Sequence, residues 1–179
     1  MKKIVLLLSS AALLWSANLD QKALETKCEK ADAESCFELG NKFQESKNYQ
    51  KAGEFYKKAC ELKDGDGYYG LGLLYYDGNG VEQDAKKAKE LFEKSCDLGH
   101  AAGCNSLGMM LHSGKYVEKD QKRASKLFIK ACEMDFGDGC HNLGVIYYET
   151  EGDKNLAKKY FGKSCELGND EDCQIYNAL

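Results

Sequence analysis

Cysteine spacing is the strongest chemical signal in this chain of 179 residues. Eight of its nine cysteines form four pairs, each with seven residues between the partners: Cys28 with Cys36, Cys96 with Cys104, Cys132 with Cys140, and Cys165 with Cys173. Residues eight apart on one continuous helix lie about 12 Å apart, whereas the Cα atoms of a disulfide lie roughly 4.4–6.8 Å apart. Each pair is therefore predicted to form a disulfide that clips a helix–loop–helix hairpin.

The ninth cysteine has no partner at this spacing, because the residue eight positions after Cys60 is Tyr68. One interpretation is an inert, unpaired thiol, half buried against Tyr68 between two helices, whose pKa is raised by apolar burial. The other is a mixed disulfide, or a dimer formed through Cys60. We expect a monomer, with the dimer as the alternative.

Other cofactor and partner classes lack their motifs. The cysteine pairs do not have the short spacing of zinc ligands, so no metal site is predicted. There is no phosphate-binding loop, dinucleotide-binding fingerprint or haem motif, so we expect no cofactor. The net charge is -4 with Lys and Glu mixed throughout, so the chain has no basic stripe for nucleic acid.

The N-terminal segment predicts export. Lys2 and Lys3 precede an apolar run from Ile4 to Trp15, and the small residues Ser16 and Ala17 follow. This pattern is typical of a secretory signal peptide over residues 1–17, although Trp15 stands where a small residue is usual, which leaves an uncleaved anchor as the alternative. Disulfides persist in oxidising compartments. We therefore expect a periplasmic or secreted protein without stable membrane insertion.

The elements that hold the cysteines belong to a repeat. A Leu-Gly step recurs at separations of 32, 36 and 36 residues, in what we term helix A: Leu39-Gly40, Leu71-Gly72, Leu107-Gly108 and Leu143-Gly144. Helix B of each unit carries small and bulky residues at helical offsets, as in Ala124, Leu127, Phe128 and Ala131. Glycine in a helix costs about 1 kcal/mol relative to alanine, so its recurrence predicts that helices A and B approach very closely.

An αα repeat of this length cannot bury its apolar face alone, so the units are predicted to stack into an all-α solenoid over residues 18–179. Asp84, Asp120 and Asp153 are expected at the N-termini of B helices. The predicted units are 32–65, 66–100, 101–136 and 137–169, with flanking helices at 20–30 and 170–178. Helices are expected at 20–30, 32–45, 48–62, 66–77, 84–98, 101–112, 120–134, 137–149, 153–167 and 170–178.

The repeat unit is similar to a known family. Its Leu-Gly step, the turn from Gly78 to Asp84, the Lys87-Ala88 pair and the segment from Lys94 to Gly99 resemble the Sel1-like repeat, a relative of the tetratricopeptide repeat. With the paired cysteines and the signal peptide, the chain resembles the Helicobacter cysteine-rich protein family. The resemblance implies a right-handed superhelical αα-repeat solenoid, and it implies β-lactam binding with weak β-lactamase activity.

In tetratricopeptide-type solenoids the ligand lies along the inner face formed by helix A. By the Leu-Gly register, the residues expected there are Phe37, Asn41, Tyr69, Tyr76, Asn105, Met109, His112, His141 and Tyr148. Amides and aromatic rings on one face suit an extended peptide. The first hypothesis is therefore a protein- or peptide-binding scaffold, with β-lactams or peptidoglycan fragments as further ligands.

Two alternatives remain open. The chain has no Ser-x-x-Lys, Ser-Asp-Asn or Lys-Thr-Gly motif, and its three histidines are scattered, so the usual serine and metallo-β-lactamase sites are absent. Slow β-lactam turnover would need an unfamiliar site around His112 and His141, with histidine as the base. The competing interpretation is that both residues are surface or interhelical histidines without a catalytic role. The other alternative is a structural spacer in a periplasmic assembly.

Overall fold

The computed structural model describes residues 19–149 and 152–179, and over these residues every regular element is a helix. The predicted all-α solenoid is confirmed, with helix bounds within one residue of those expected from the sequence. The predicted signal peptide lies outside the described residues. The helices are α1 over residues 19–29, α2 Ala33–Glu45, α3 Tyr49–Glu61, α4 Gly65–Asp77, α5 Ala85–Asp97, α6 Ala101–Ser113, α7 Gln121–Glu133, α8 Gly137–Glu149, α9 Lys154–Glu166 and α10 Asp170–Ala178.

The helix ends follow from local side-chain chemistry. Asp84, Asp120 and Asp153 are N-caps whose carboxylates accept hydrogen bonds from backbone N–H groups of the first turn, as the sequence predicts. Gly78 and Gly114 end α4 and α6 with φ values of 74° and 67°. Glycine adopts this left-handed conformation without the steric cost that a Cβ brings.

The helices form two layers. Helices α2, α4, α6 and α8 are helix A of successive units and contact one another in order along the solenoid. The B helices α3, α5, α7 and α9 each pack between the A helices that precede and follow them. Because the A helices approach one another more closely than the B helices do, the layer of A helices forms the concave face.

Within each unit, the helix-A glycine lies against an aromatic ring of helix B. A Cβ added to Gly108 would lie 2.7 Å from Cε1 of Phe128, closer than real side chains approach. The ring is 1% exposed and fills this space. The predicted close approach is therefore confirmed, and it recurs in four pairs: Gly40 with Tyr56, Gly72 with Phe92, Gly108 with Phe128 and Gly144 with Phe161.

Between units, disulfides join helix B to the next helix A. All four predicted pairs are bonded, so the predicted clipping of helix hairpins is confirmed. The bonds and their Cα–Cα distances are Cys28 with Cys36 at 4.8 Å between α1 and α2, Cys96 with Cys104 at 4.4 Å between α5 and α6, Cys132 with Cys140 at 4.7 Å between α7 and α8, and Cys165 with Cys173 at 4.7 Å between α9 and α10.

The second cysteine of each bond lies in the first turns of its A helix, and three of these four side chains are completely buried. Cys36, Cys104 and Cys140 are 0% exposed, whereas Cys173 on the terminal helix α10 is partly exposed. Close helix packing permits the short Cα–Cα distances. A Cβ on Gly103, for example, would lie 2.7 Å from the Cβ of Ser95 across the α5–α6 junction.

The junction between α3 and α4 has no disulfide. Cys60 is a free, half-buried cysteine, and Tyr68 packs into the same hydrophobic cluster. At two other junctions a lysine of the next B helix donates a hydrogen bond to the carbonyl of a disulfide-bonded cysteine, as Lys130 does to Cys96 O at 2.7 Å. At this junction the equivalent Lys94 instead places its Nζ 5.5 Å from the centre of the Tyr68 ring.

Replacing Tyr68 by cysteine should allow a disulfide with Cys60 at the junction between α3 and α4. Closing a loop of this length stabilises the folded state by about 2–3 kcal/mol in the chain-entropy model, less the packing lost with the phenol ring. The matched control is Tyr68→Ser, which removes the ring without adding a thiol. We expect Tyr68→Cys to exceed Tyr68→Ser by about 2 kcal/mol in denaturant unfolding of the oxidised proteins. Equal stabilities, or a variant in which mass spectrometry finds both thiols unpaired, would contradict this account of the junction.

Candidate functional site

A groove crosses the concave face over α2, α4 and α6. Its first hollow has a volume of about 340 Å³ between α4 and α6. Its second hollow, about 290 Å³, lies between the C-terminal ends of α2 and α4, beside the start of α3 and the loop after α4. The two hollows share Leu73 and Asp77, so we treat them as one groove. The first is lined by Leu73, Tyr76, Asp77, Phe92, Ser106, Met109, Met110, Ser113 and Lys115, and the second by Gln44, Glu45, Tyr49, Leu73, Leu74, Asp77 and Asn79.

Helical spacing brings these side chains to one face. Leu73 and Asp77 are four residues apart on α4, and Met109 and Ser113 are four apart on α6, so each pair lies on one side of its helix. The helices α2, α4 and α6 end at Glu45, Asp77 and Ser113. The groove therefore lies at helix C-termini, where unpaired carbonyl groups carry partial negative charge.

Aromatic contacts hold the wall of the first hollow. The Tyr76 ring lies 6.4 Å from Phe92 and 6.2 Å from Tyr116, the latter edge-on. The side chain of Gln83 donates a hydrogen bond to the Tyr76 carbonyl at 2.7 Å. Met109 on α6 also lines this hollow, and its side chain is 53% exposed. The hollow is therefore mainly apolar, with its rings fixed and a flexible thioether at its edge.

The charges of the groove are unequally distributed. Glu45 and Asp77 are exposed, and neither forms an ion pair within the described part of the chain. Lys115 lies on the α6 side, with its Nζ 4.8 Å from the centre of the Tyr116 ring. Hydrogen bonding to Tyr116 raises the pKa of Lys115, so this side chain stays cationic. The groove thus has an acidic end over α2 and α4 and one cation over α6.

Of the residues predicted for the inner face, Tyr76 and Met109 line the groove. Tyr148 is 47% exposed and lies further along the same layer, on α8. Tyr69 is half buried, and its ring packs against His100 at 4.9 Å.

Three predicted residues are already engaged by the protein itself. Phe37 packs against the Tyr56 ring at 5.8 Å, and Asn41 accepts a hydrogen bond from the Tyr56 hydroxyl at 2.7 Å. Asn105 is 5% exposed and accepts a hydrogen bond from Asn142 at 2.9 Å. Because these side chains contact other helices, fewer inner-face residues are available to a ligand than the helical register alone suggests.

The histidines do not meet in one site. His112 aligns with Tyr148 in the 36-residue register. Tyr148 lies two helical turns beyond His141, so the register places the two histidines about 10 Å apart along the helix direction. The Nδ1 atom of His112 is buried without a hydrogen-bond partner in the described structure, and its ring lies edge-on to Phe128. His100 is the N-cap of α6, where its Nδ1 accepts the Gly103 N–H at 3.1 Å.

His141 forms a contact that sequence reasoning missed. Its Nδ1 lies 2.8 Å from a carboxylate oxygen of Asp172, which is fully buried. Asp172 occupies the position of Gly67, Gly103 and Gly139 in α4, α6 and α8, and of Ser35 in α2. A carboxylate at a position where the earlier A helices have a small residue was the available signal.

The polar rim of the groove was also missed. Asp77 and Ser113 each lie four residues beyond an inner-face position, so the helical register could have found them. Two other lining residues lie outside helix A: Lys115 is in the loop after α6, and Phe92 belongs to the B helix α5. Neither follows from the register of helix A.

The free thiol of Cys60 has low reactivity. Burial raises the pKa of Cys60 to about 12, and the nearby Asp64 carboxylate adds to this effect, while the Lys94 ammonium opposes it. Among the described residues, no three His, Cys, Asp or Glu side chains are grouped in a way that could hold a metal ion. None of the described helices combines the length and the apolar character needed to cross a membrane.

Two repeat families match the chain. The Sel1 repeat matches residues 65–100 and 101–136, and the tetratricopeptide repeat matches residues 33–66 and 137–170. The matched segments correspond to the stacked helix pairs described above.

Individual proteins are also similar. The solved structure of Helicobacter pylori cysteine rich protein B is 36% identical with a TM-score of 0.56, and the match covers 70% of this chain and 92% of that one. A protective antigen of uropathogenic Escherichia coli, c5321, which displays an SLR fold, is 26% identical with a TM-score of 0.78, over 88% of this chain and 36% of that chain. A Helicobacter pylori strain J99 protein named "Putative beta-lactamase HcpC" is 42% identical over 48 residues, which are 27% of this chain and 17% of that protein.

The raised pKa of Cys60 predicts slow alkylation. A pKa of about 12 against an ordinary 9.0 lowers the thiolate fraction at pH 8 by about 1000-fold. Higher intrinsic nucleophilicity offsets part of this loss, so we expect iodoacetamide to react about 10- to 100-fold more slowly than with the same thiol after unfolding. The native rate should keep rising with pH beyond pH 10. A native rate that levels off near pH 9 would contradict the assigned burial.

Proposed function

The chain belongs to the Sel1-like repeat proteins of the Helicobacter cysteine-rich type, and we propose that it is an exported scaffold that captures peptide segments of partner proteins on its concave face. The groove over α2, α4 and α6 is the observation that carries this proposal. It combines an apolar hollow with a polar rim, which is the usual composition of a binding site.

Two features of the chain support export, the disulfides and the N-terminal segment. Four disulfides are consistent with an oxidising, extracytoplasmic compartment. The basic, apolar and small residues at positions 2–17 follow the order of a signal peptide. A periplasmic or secreted location fits both.

Binding is favoured over a purely structural role by the exposed side chains of the concave layer. Met109 on α6 and Tyr148 on α8 are large apolar side chains of this layer, and they are 53% and 47% exposed. A spacer has no need of exposed large apolar groups, which carry a risk of aggregation. Their position on the concave face, which an extended ligand can follow across several units, supports a binding role.

Site-specific photo-crosslinking tests the proposal. We expect a benzophenone amino acid at position 109 or 148 to crosslink to proteins of the cell envelope of the producing bacterium. The same group at Glu54 or Glu90, which are exposed on the B helices α3 and α5, is the matched control. Crosslinked bands from the concave positions alone are expected. Equal labelling from both faces, or none from the concave positions, would remove the proposal.

Slow β-lactam hydrolysis is a second candidate function, favoured by the name of the HcpC relative and by one contact. The buried Asp172 holds the Nδ1 side of His141, and the imidazole is about one-third exposed. In this tautomer Nδ1 donates to the carboxylate, and Nε2 is left to accept a proton from an attacking hydroxyl or water.

His141→Asn tests this candidate, because asparagine can still donate to Asp172 but cannot act as a base. Loss of a general base lowers a rate by about 100-fold or more, so hydrolysis of a chromogenic cephalosporin should nearly vanish in this variant. The rate should be unchanged in His112→Ala, the matched control. Protein from a host without β-lactamases that shows no turnover above buffer, or equal rates in His141→Asn, would exclude the site.

A further inference from the structure

We propose that the groove selects peptides in which a large apolar side chain lies two to four residues from a lysine or arginine. This inference rests on the proposed peptide capture and adds its specificity. The occupant is an extended peptide segment, with its apolar side chain between α4 and α6 and its cation between α2 and α4.

The apolar requirement follows from the first hollow. Its walls are the Tyr76 and Phe92 rings together with Leu73, Met109 and Met110, and its volume of about 340 Å³ lies at the lower end of ligand pockets. This size suits one large aliphatic or aromatic side chain. The exposed Met109 can adjust to different shapes because methionine is flexible and unbranched.

The cation requirement follows from the charges at the other end. Glu45 lines the second hollow and Asp77 lies between the two hollows, and neither carboxylate has an ion-pair partner in the described residues. Both stand at the last position of their helices, α2 and α4, where the helix dipole also favours positive charge. A lysine or arginine of the ligand would complement both carboxylates.

The spacing follows from the helix layer. Packed helices lie about 8–10 Å apart, and an extended peptide advances about 3.3 Å per residue. Moving by one helix, from the hollow between α4 and α6 to the hollow between α2 and α4, therefore takes about three residues. Lys115 on the α6 side repels a cation of the ligand at that end of the groove. The peptide is therefore oriented with its basic residue toward α2.

A random peptide library tests the specificity. The probe is a mixture of acetylated, amidated nonapeptides without cysteine, applied to the oxidised, full-length mature protein and identified by mass spectrometry after elution. We expect enrichment of peptides with Lys or Arg two to four residues from Leu, Ile, Met, Phe, Tyr or Trp. The tightest peptides are then titrated against variants by fluorescence anisotropy.

The decisive comparison uses two double variants with the same change in net charge. Glu45→Gln with Asp77→Asn should weaken these peptides by about two- to fivefold for each carboxylate, the size of a surface ion pair, and should abolish the preference for Lys and Arg. Glu54→Gln with Glu90→Gln on the B helices should leave both affinity and preference unchanged.

The outcomes separate this inference from the proposed function. Enrichment of apolar peptides without a basic residue would overturn the specificity and leave peptide capture in place. Equal weakening by both double variants would also overturn it, since a general charge effect would then explain the preference. A library with no enrichment over blank resin would overturn the specificity and peptide capture together.

Discussion

The contact between a helix-A glycine and a helix-B aromatic ring sets the spacing on which the whole solenoid depends. It occurs in every two-helix unit from α2 to α9, where a Cβ would collide with the ring. Each unit therefore has nearly the same thickness, and successive units stack at a regular interval. The A helices then contact one another and form a continuous concave layer, and the groove over α2, α4 and α6 is part of that layer.

Disulfides restrain this stack unevenly. The A helices α2, α6, α8 and α10 are each tied to the preceding B helix, through Cys36, Cys104, Cys140 and Cys173 respectively. Helix α4 has no such bond, since its junction with α3 has only Cys60, Tyr68 and their neighbours. This open junction lies directly behind the groove, whose walls α2 and α4 belong to the two units that it joins. Helix α4 also contains four glycines, and a glycine inside a helix costs about 1 kcal/mol relative to alanine, so tertiary packing rather than helix propensity stabilises it. The wall of the groove is thus the part of the solenoid with the least covalent restraint.

The sequence was sufficient for the fold because its signals are local and repeated. Capping aspartates, Leu-Gly steps and cysteine spacing each act within a few residues, and together they predicted the ten helices within one residue. The groove needs side chains from three units, and which of them remain exposed depends on how each helix is rotated against its neighbours. Asn105 shows the difference, since its register places it on the inner face whereas its amide is buried against Asn142. The Asp172–His141 pair was missed because its partners lie 31 residues apart, on α10 and α8, so no local spacing connects them.

The most direct test of concave-face binding is a crystal structure of the oxidised protein with the tightest peptide from the library. The account predicts an extended peptide across α2, α4 and α6, with an apolar side chain against Met109 and a cation between Glu45 and Asp77. A peptide seated on the B helices, or on an edge of the solenoid away from these residues, would contradict it.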